Sequence, residues 1–422
     1  MKTATRAAAK AASLWIDIGE RRARARLLTS RAVTRPIEER RAMKIERFSF
    51  PTTIHFGGGA RKLVGVHLKE HGYKRPLIVT DRALATLPIL QEFMGHLHTG
   101  LDVGVFEGVF GNPTAAQVNA GAAAFKAHRA DCVIGFGGGA ALDVAKVVGV
   151  VAVNEGDAIE YAWDHPQVRA IDEVPYFVAL PTTSGTGSEV GRSSVVSENS
   201  SVGGGHVKRV IFSPKILAKQ VFADPELTYA LPAAVTAATG MDALTHNVES
   251  YLSPAYHPLC DGIALEGTRI AARALVAAVK EPTNYRARAD MMMASMMGAI
   301  AFQKDLGAVH SCAHALGAVC DLHHGLANAL MIEPVMKFNL EAAPRKFADL
   351  AHVVGAGSAE AFVPWLKALK QEIGIATGLA GVGVKREQFG HLVELAEKDI
   401  CHQTNPRPVT RTDFERFFEA AY

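Results

Sequence analysis

Asp242 and His246 stand four residues apart in the segment MDALTHNVES, and His310, His314 and His324 punctuate GAVHSCAHALGAVCDLHHG. Residues four apart share one face of a helix. Asp242 and His246 can therefore grip one ion from consecutive turns, and His310 and His314 repeat that geometry. One carboxylate and several imidazoles suit a borderline divalent cation, Fe(II) or Zn(II), better than a hard ion such as Mg(II). A lone histidine on an Ala-rich helix is ordinarily a packing residue. Two such pairs, with a further histidine ten residues beyond His314, point to a metal centre.

The elements that must position these side chains fall into two textures. From Phe48 to about residue 230 the chain alternates strand and helix: TTIHF, PLIVTD (Pro76–Asp81), Asp102–Phe106, CVIGF (Cys132–Phe136) and Tyr176–Leu180 read as strands, with helices between them, over Arg61–His71 and Ala115–His128 among others. Such alternation predicts a parallel sheet with helices on both faces. Beyond Leu231, long Ala-, Leu- and Met-rich segments at helical spacing dominate and strand signals almost vanish. The expected organisation is an α/β, Rossmann-like N-terminal dinucleotide-binding domain over 43–230 and an all-α metal-binding domain over 231–422, closely packed with a cleft between them. The Met cluster around Met291–Met293, Met296 and Met297 reads as core packing.

Two loops of the first half can bind a nucleotide. GFGGGAALDVAK runs from a strand into a helix, the setting in which glycines let backbone amides approach a pyrophosphate at a positive helix end. It lacks the G-x-G-x-x-G spacing. PTTSGTGSE (Pro181–Glu189) is dense in hydroxyls that can hydrogen-bond phosphate, ribose or amide groups, and it also reads as an elaborate helix cap. Asp81 ends a strand, where an acid can accept hydrogen bonds from a ribose diol and repel a 2′-phosphate, or simply cap the next helix.

These motifs converge. GGGAALDVAK resembles the GGGSxxDxAK loop of the iron-containing (group III) alcohol dehydrogenases, PTTSGTGSEV their second cofactor loop, and GMDALTHNVESYLS their first metal helix. GAVHSCAHALGAVCDLHHGLANAL is similar to their histidine-rich segment, and NPRP (Asn405–Pro408) to their C-terminal motif, so the resemblance spans 43–422 almost continuously. It implies metal ligands Asp242, His246, His310 and His324, with His314 a non-ligand catalytic histidine near the nicotinamide and substrate. It implies cofactor contacts from Gly137, Gly138, Gly139, Asp143 and Lys146 in the first loop, from Thr182 and Thr183 in the second, and from Asp81 at the ribose. Two departures stand out: Ala140 replaces the usual serine, and His323 occupies the place of a common proline before the last ligand. The segment AFQKDLG beside the substrate pocket also differs from the better-known branches.

The implied activity is reversible hydride transfer between a small primary alcohol, aldehyde or hydroxyacid and NAD(H), with Fe(II), or Zn(II), as Lewis acid. The same architecture serves hydroxyacid–oxoacid transhydrogenases, glycerol dehydrogenases and maleylacetate reductases, and more distantly the dehydroquinate synthase lyases.

Composition frames these expectations. The chain has 422 residues and a formal net charge of +3. Residues 1–42 hold eleven Lys/Arg against four acids, so the remainder carries −4. That acidic body gives no reason to expect a nucleic-acid partner. The Arg-rich leader reads as a start placed ahead of Met43 or as a transit-like segment, outside the fold in either case. Five scattered cysteines without a C-x-x-C pair fit a reducing cytoplasm, no apolar run is long enough for a membrane span, and a homodimer or larger homo-oligomer is expected.

Overall fold

Four short apolar runs form the middle of a six-stranded parallel sheet because both of their faces are covered, which continuous apolar runs require, while the two edge strands are partly exposed. In the computed structural model, which describes residues 50, 52–97, 100–199 and 206–422, the strands are β1 (Thr53–Phe56), β2 (Pro76–Asp81), β3 (Gly104–Val109), β4 (Cys132–Gly137), β5 (Tyr176–Pro181) and β8 (Gln220–Ala223). They lie in the order β1-β8-β5-β4-β2-β3, and every pairing is parallel. Two strands between β5 and β8, β6 (Ser193–Asn199) and β7 (His206–Phe212), form a separate antiparallel hairpin. Alternate residues along each strand serve opposite cores: Leu77, Val79 and Val133 face one, Ile78, Ile134 and Phe136 the other.

Helices α1 (Val64–Glu70), α2 (Pro88–Leu97), α3 (Ala115–His128) and α4 (Gly139–Val153) flank this sheet. The sequence expectation of a helix over Arg61–His71 resolves into a 3₁₀ turn followed by α1. The hairpin and β8 were not anticipated. The strand expected over Asp102–Phe106 lies a little later, as β3.

The remaining chain is helical: α5 (Ala233–Leu252), α6 (Pro258–Lys280), α7 (Tyr285–Ala301), α8 (Ala308–Cys320), α9 (His324–Asn339), α10 (Pro344–Val354), α11 (Phe362–Glu372), α12 (Phe389–Lys398) and α13 (Arg411–Ala421). The change from strand to helix falls between β8 and α5, close to residue 230. The two halves share packing across α7. Met291 joins the helical core, whereas Met292 and Met296, one face round, join the core against the sheet. Residues Phe48–Tyr422 accordingly form one compact unit. The Arg-rich leader lies outside the described residues. Among the described residues, no helix is long and apolar enough to cross a membrane.

The strand order sets where a ligand can bind. β2 connects outward to β3 and β4 connects the opposite way to β5, so the sheet changes direction between β2 and β4. Crevices at the carboxyl ends of strands flanking such a point are the ligand sites of open parallel sheets. Asp81 ends β2 and Gly137 ends β4.

Candidate active site and metal centre

Helix α5, buried from Thr236 to its end, carries three ionisable side chains along one face: Asp242, His246 and Glu249. Their spacing of four and then three residues keeps them in line. Helix α8 brings His310 against this stripe, and His324 opens α9. One donor atom from each of Asp242, His246, His310 and His324 lies within 4.8 Å of the others. Asp242 Oδ1 is 3.8 Å from His246 Nε2, 3.9 Å from His310 Nε2 and 3.4 Å from His324 Nε2. Four ligands at about 2.1 Å around a tetrahedral ion stand about 3.4 Å apart. The donor set and its spacing therefore fit a divalent cation.

Burial favours the neutral form of two of the imidazoles, His246 and His324. Burial pushes His246 down to about 4 and His324 well below the ordinary range, the latter helped by His314 and Lys208. A neutral ring keeps a lone pair for an ion. His323 is exposed and contributes no atom to the cluster. Gly325 explains the difference of one residue: a Cβ there would stand 2.2 Å from the Ala238 carbonyl oxygen. Only glycine lets the start of α9 close on α5, and that contact brings His324 to Asp242.

Glu249 fixes the orientation of His310. Its carboxylate accepts hydrogen bonds from the Val309 amide at 2.8 Å and the His310 amide at 3.3 Å, and its Oε2 lies 2.6 Å from His310 Nδ1. Gly307, at the N-cap of α8, offers no side chain. A buried carboxylate from another helix thus serves the orphan amides and positive end of α8. It also holds the Nδ1 proton, so the Nε2 lone pair turns toward Asp242, as outer carboxylates do for metal-ligating histidines. The NPRP motif braces the same helix end: Asn405 Oδ1 accepts from the Ala308 amide at 3.3 Å and from Asn339 Nδ2 at 2.9 Å.

His314 lies one turn beyond His310 and outside the ligand cluster. Its ring stacks on that of His324 at 5.4 Å, and its Nδ1 is 2.8 Å from Asp399 Oδ2. Burial alone would raise Asp399, yet His314, the Cys401 amide and the Ser311 hydroxyl hold its carboxyl well below the usual range. Cys401 stands beside this pair. Burial, and then Asp399, push its thiol well up, which disfavours the reactive thiolate.

On the sheet side, the expected cofactor residues gather at the ends of β2, β4 and β5. Asp81 Oδ1 accepts from the Leu84 amide at 2.8 Å as a helix cap, while its Oδ2 faces Gly137. Helix α4 starts at Gly139 with no side-chain cap on its first turn. A Cβ at Gly139 would meet Thr186 at 2.6 Å, so the two loops touch through it. The Thr182 amide donates to the Gly137 carbonyl at 3.0 Å, and Thr183 is half-buried beside Gly138. Asp143 and Lys146 point inward instead. The Lys146 ammonium is buried on Ser188 Oγ and the Ser193 carbonyl, both at 2.7 Å. Asp143 accepts from Ser188 Oγ at 2.5 Å and from the Val195 amide at 2.9 Å. These two residues shape the second loop from beneath.

That loop abuts the helical half, with Gly185 against Thr239 of α5 and Gly187 against Ser295 of α7. The nucleotide-type loops and the metal-type cluster therefore face one cleft. Lys208, on β7, enters it from the hairpin: burial lowers its pKa, and Asp399, Asp321 and Asp242 pull the other way. A cavity of about 420 Å³ opens beside Phe302, whose ring meets His246 edge-on at 5.4 Å, and Val190, Arg192, Asp305 and Ile400 help to line it. Glu249, Asp399, Lys208 and Asn328 were not singled out from sequence. Of these, Glu249 and Asn328 had a signal, in their helical spacings of seven residues from Asp242 and four from His324.

An open parallel sheet with a phosphate-type loop at its switch point, facing helices that converge one carboxylate and three imidazoles, defines a nucleotide- and metal-dependent oxidoreductase class. The chain belongs to the iron-containing alcohol dehydrogenase family: models of that family match residues 51–225 (iron-containing alcohol dehydrogenase) and 236–422 (the family's C-terminal region). It is 36% identical over 378 residues to 4-hydroxybutyrate dehydrogenase of Cupriavidus necator, covering 87% of this chain and 97% of that protein. The crystal structure of a 1,3-propanediol oxidoreductase matches with a TM-score of 0.85 at 36% identity, covering 90% of this chain and 100% of the other. Sulfoacetaldehyde reductase from Bifidobacterium kashiwanohense, solved in complex with NAD+, matches with a TM-score of 0.82 at 27% identity, covering 90% and 99%.

Two expectations follow. Glu249→Gln keeps the shape but loses the charge on His310 Nδ1, and metal affinity falls about 10- to 100-fold by chelator competition. His324→Ala abolishes metal retention measured by elemental analysis, whereas His323→Ala leaves it intact; the reverse pattern would make His323 the ligand.

Proposed function

We propose that this chain is an NAD(H)- and Fe(II)-dependent dehydrogenase that interconverts small primary alcohols or hydroxyacids and their aldehydes. The observation that carries this reading is the convergence of Asp242, His246, His310 and His324 in the same cleft as the glycine loop and Asp81. Bound between these four residues, a divalent ion supplies Lewis acidity toward an alcohol or carbonyl oxygen, and Zn(II) would satisfy the same donors.

The chain's own groups take the remaining tasks. The uncapped start of α4 offers amides and a positive helix end to a pyrophosphate, without a serine at Ala140. Gly137, Gly138, Gly139, Thr182 and Thr183 border that place, and Asp143 and Lys146 hold the second loop in shape from below. Asp81 retains Oδ2 for a ribose diol and disfavours a 2′-phosphate, which supports NAD(H) over NADP(H); a related structure holding NAD+ supports it as well. His314, with Nδ1 engaged by Asp399, keeps Nε2 to accept or return the substrate proton. The cavity beside Phe302 has room for a short substrate chain.

The test is the full-length protein purified anaerobically with Fe(II). NADH formation is followed with short primary alcohols, diols and ω-hydroxyacids. Turnover of at least one class is expected, and no turnover of any, with metal and NAD both bound, would sink the dehydrogenase reading. In the active protein, Asp399→Asn is expected to lower kcat about 100-fold, the lower end of general acid–base effects, with KM nearly unchanged.

A further inference from the structure

Asn328 sits four residues after His324 on α9, so it lies over the same face one turn on. It is completely buried. Its Nδ2 is 2.7 Å from Asp242 Oδ1 and 3.3 Å from both His310 Nε2 and His324 Nε2. One amide nitrogen therefore addresses three of the four candidate ligand atoms, and its own Oδ1 has no partner among the described residues.

The three acceptors are not equivalent. A carboxylate oxygen has lone pairs enough to hold an ion and still accept from Asn328, whereas the neutral imidazole Nε2 has one lone pair, which goes either to an N–H donor or to an ion. The contact to the charged Asp242 is short and charge-assisted; the two imidazole contacts are long. Without an ion, an unpaired carboxylate and two unpaired imidazole lone pairs buried together would be costly, and Asn328 is the side chain placed to serve all three.

We propose that Asn328 is a positioning residue that stands in for the cation: it holds Asp242, His310 and His324 in binding geometry when no ion is present, and keeps only Asp242 when one is. This inference rests on the metal reading of the four residues and not on the dehydrogenase reading. Its consequence is asymmetric. Losing the amide harms the metal-free protein more than the loaded one, so by linkage the folded protein binds metal more tightly, not more weakly.

The experiment compares the full-length wild type with Asn328→Leu, which keeps the branching at Cγ and has no donor. Thermal melts are recorded for chelator-stripped and Zn(II)-loaded protein, and the Zn(II) dissociation constant is measured by competition with a chromophoric chelator. The stripped variant is expected to melt clearly below the stripped wild type, with a smaller gap between the loaded forms. Zn(II) should bind about tenfold more tightly, the equivalent of about one or two net neutral hydrogen bonds, those given up at His310 and His324. Equal melting losses in both forms would reduce Asn328 to a packing residue, and weaker Zn(II) binding would make it a support of the loaded site only; either overturns the proposal. Asn328→Ser, which keeps a small donor, gives the same comparison if the leucine variant does not fold, with the same asymmetry expected at lower amplitude. A wild type that binds no metal would instead count against the metal reading itself.

Discussion

A carboxylate buried at the meeting of three helices is the constraint on which the helical half depends. Asp242 is 2% exposed. An anion taken that far from water costs several kcal/mol unless hydrogen bonds or a cation compensate it. The surrounding elements are placed to do so. Helix α9 supplies His324 and the Asn328 amide, and it approaches only because Gly325 lacks a side chain. Helix α8 supplies His310, and its start is held by the second buried carboxylate of the same α5 face, Glu249. Two acids on one stripe thus determine how α8 and α9 dock. That polar stripe also explains why α5 is buried on every side without being apolar on every side.

The sheet half answers a different demand, that of presenting free backbone groups at the end of β4. An uncapped helix start is unsatisfied by construction, so its surroundings must be stiff enough to hold it open. The stiffness comes from beneath. The Lys146 ammonium and the Asp143 carboxylate both reach Ser188, tying α4 to the loop after β5 and to the hairpin. The loop then rests through Gly185 and Gly187 on the helices α5 and α7. Distances between the two loops and the metal-type cluster are therefore set by packed contacts, with no flexible linker between halves.

Much of this was legible in the sequence, and the parts that were not share a cause. Strands β2, β4 and β5 announced themselves because both faces are covered, leaving unbroken apolar runs. The pairs Asp242/His246 and His310/His314 were legible because a helix turns local spacing into geometry. Strand β8 was missed because it has four residues and merges into the turn at Asp224. The hairpin was missed because its polar alternation, in SSVVSEN and HVKRVIF, reads as loop without the apolar density of its neighbours. Asp399 and Lys208 lie 85 and 116 residues from His314 and His324, the histidines that they adjoin. No periodicity connects such partners. Asp143 and Lys146 show the opposite limit: their loop was recognised, but sequence could not say that their side chains point away from the cleft.

The same groups that make the cleft competent also weaken it. Ser184 Oγ, Glu189 Oε1 and Asn328 Oδ1 are buried without partners among the described residues, and all three border the cleft. Burial pushes Glu189 up to about 7. Asp305 adopts φ 65 and ψ −178, a backbone region that essentially only glycine occupies without strain. It does so in the AFQKDLG segment, beside the cavity and Phe302. None of these features stabilises the fold, and each costs about 1–3 kcal/mol. They persist because the apolar cores on both sides, joined through Met291, Met292 and Met296, over-determine the positions of the elements that carry them. Strain and unmet polarity concentrate where α5, α7 and the second loop meet, which is where a substrate, a nucleotide and an ion would have groups to satisfy them.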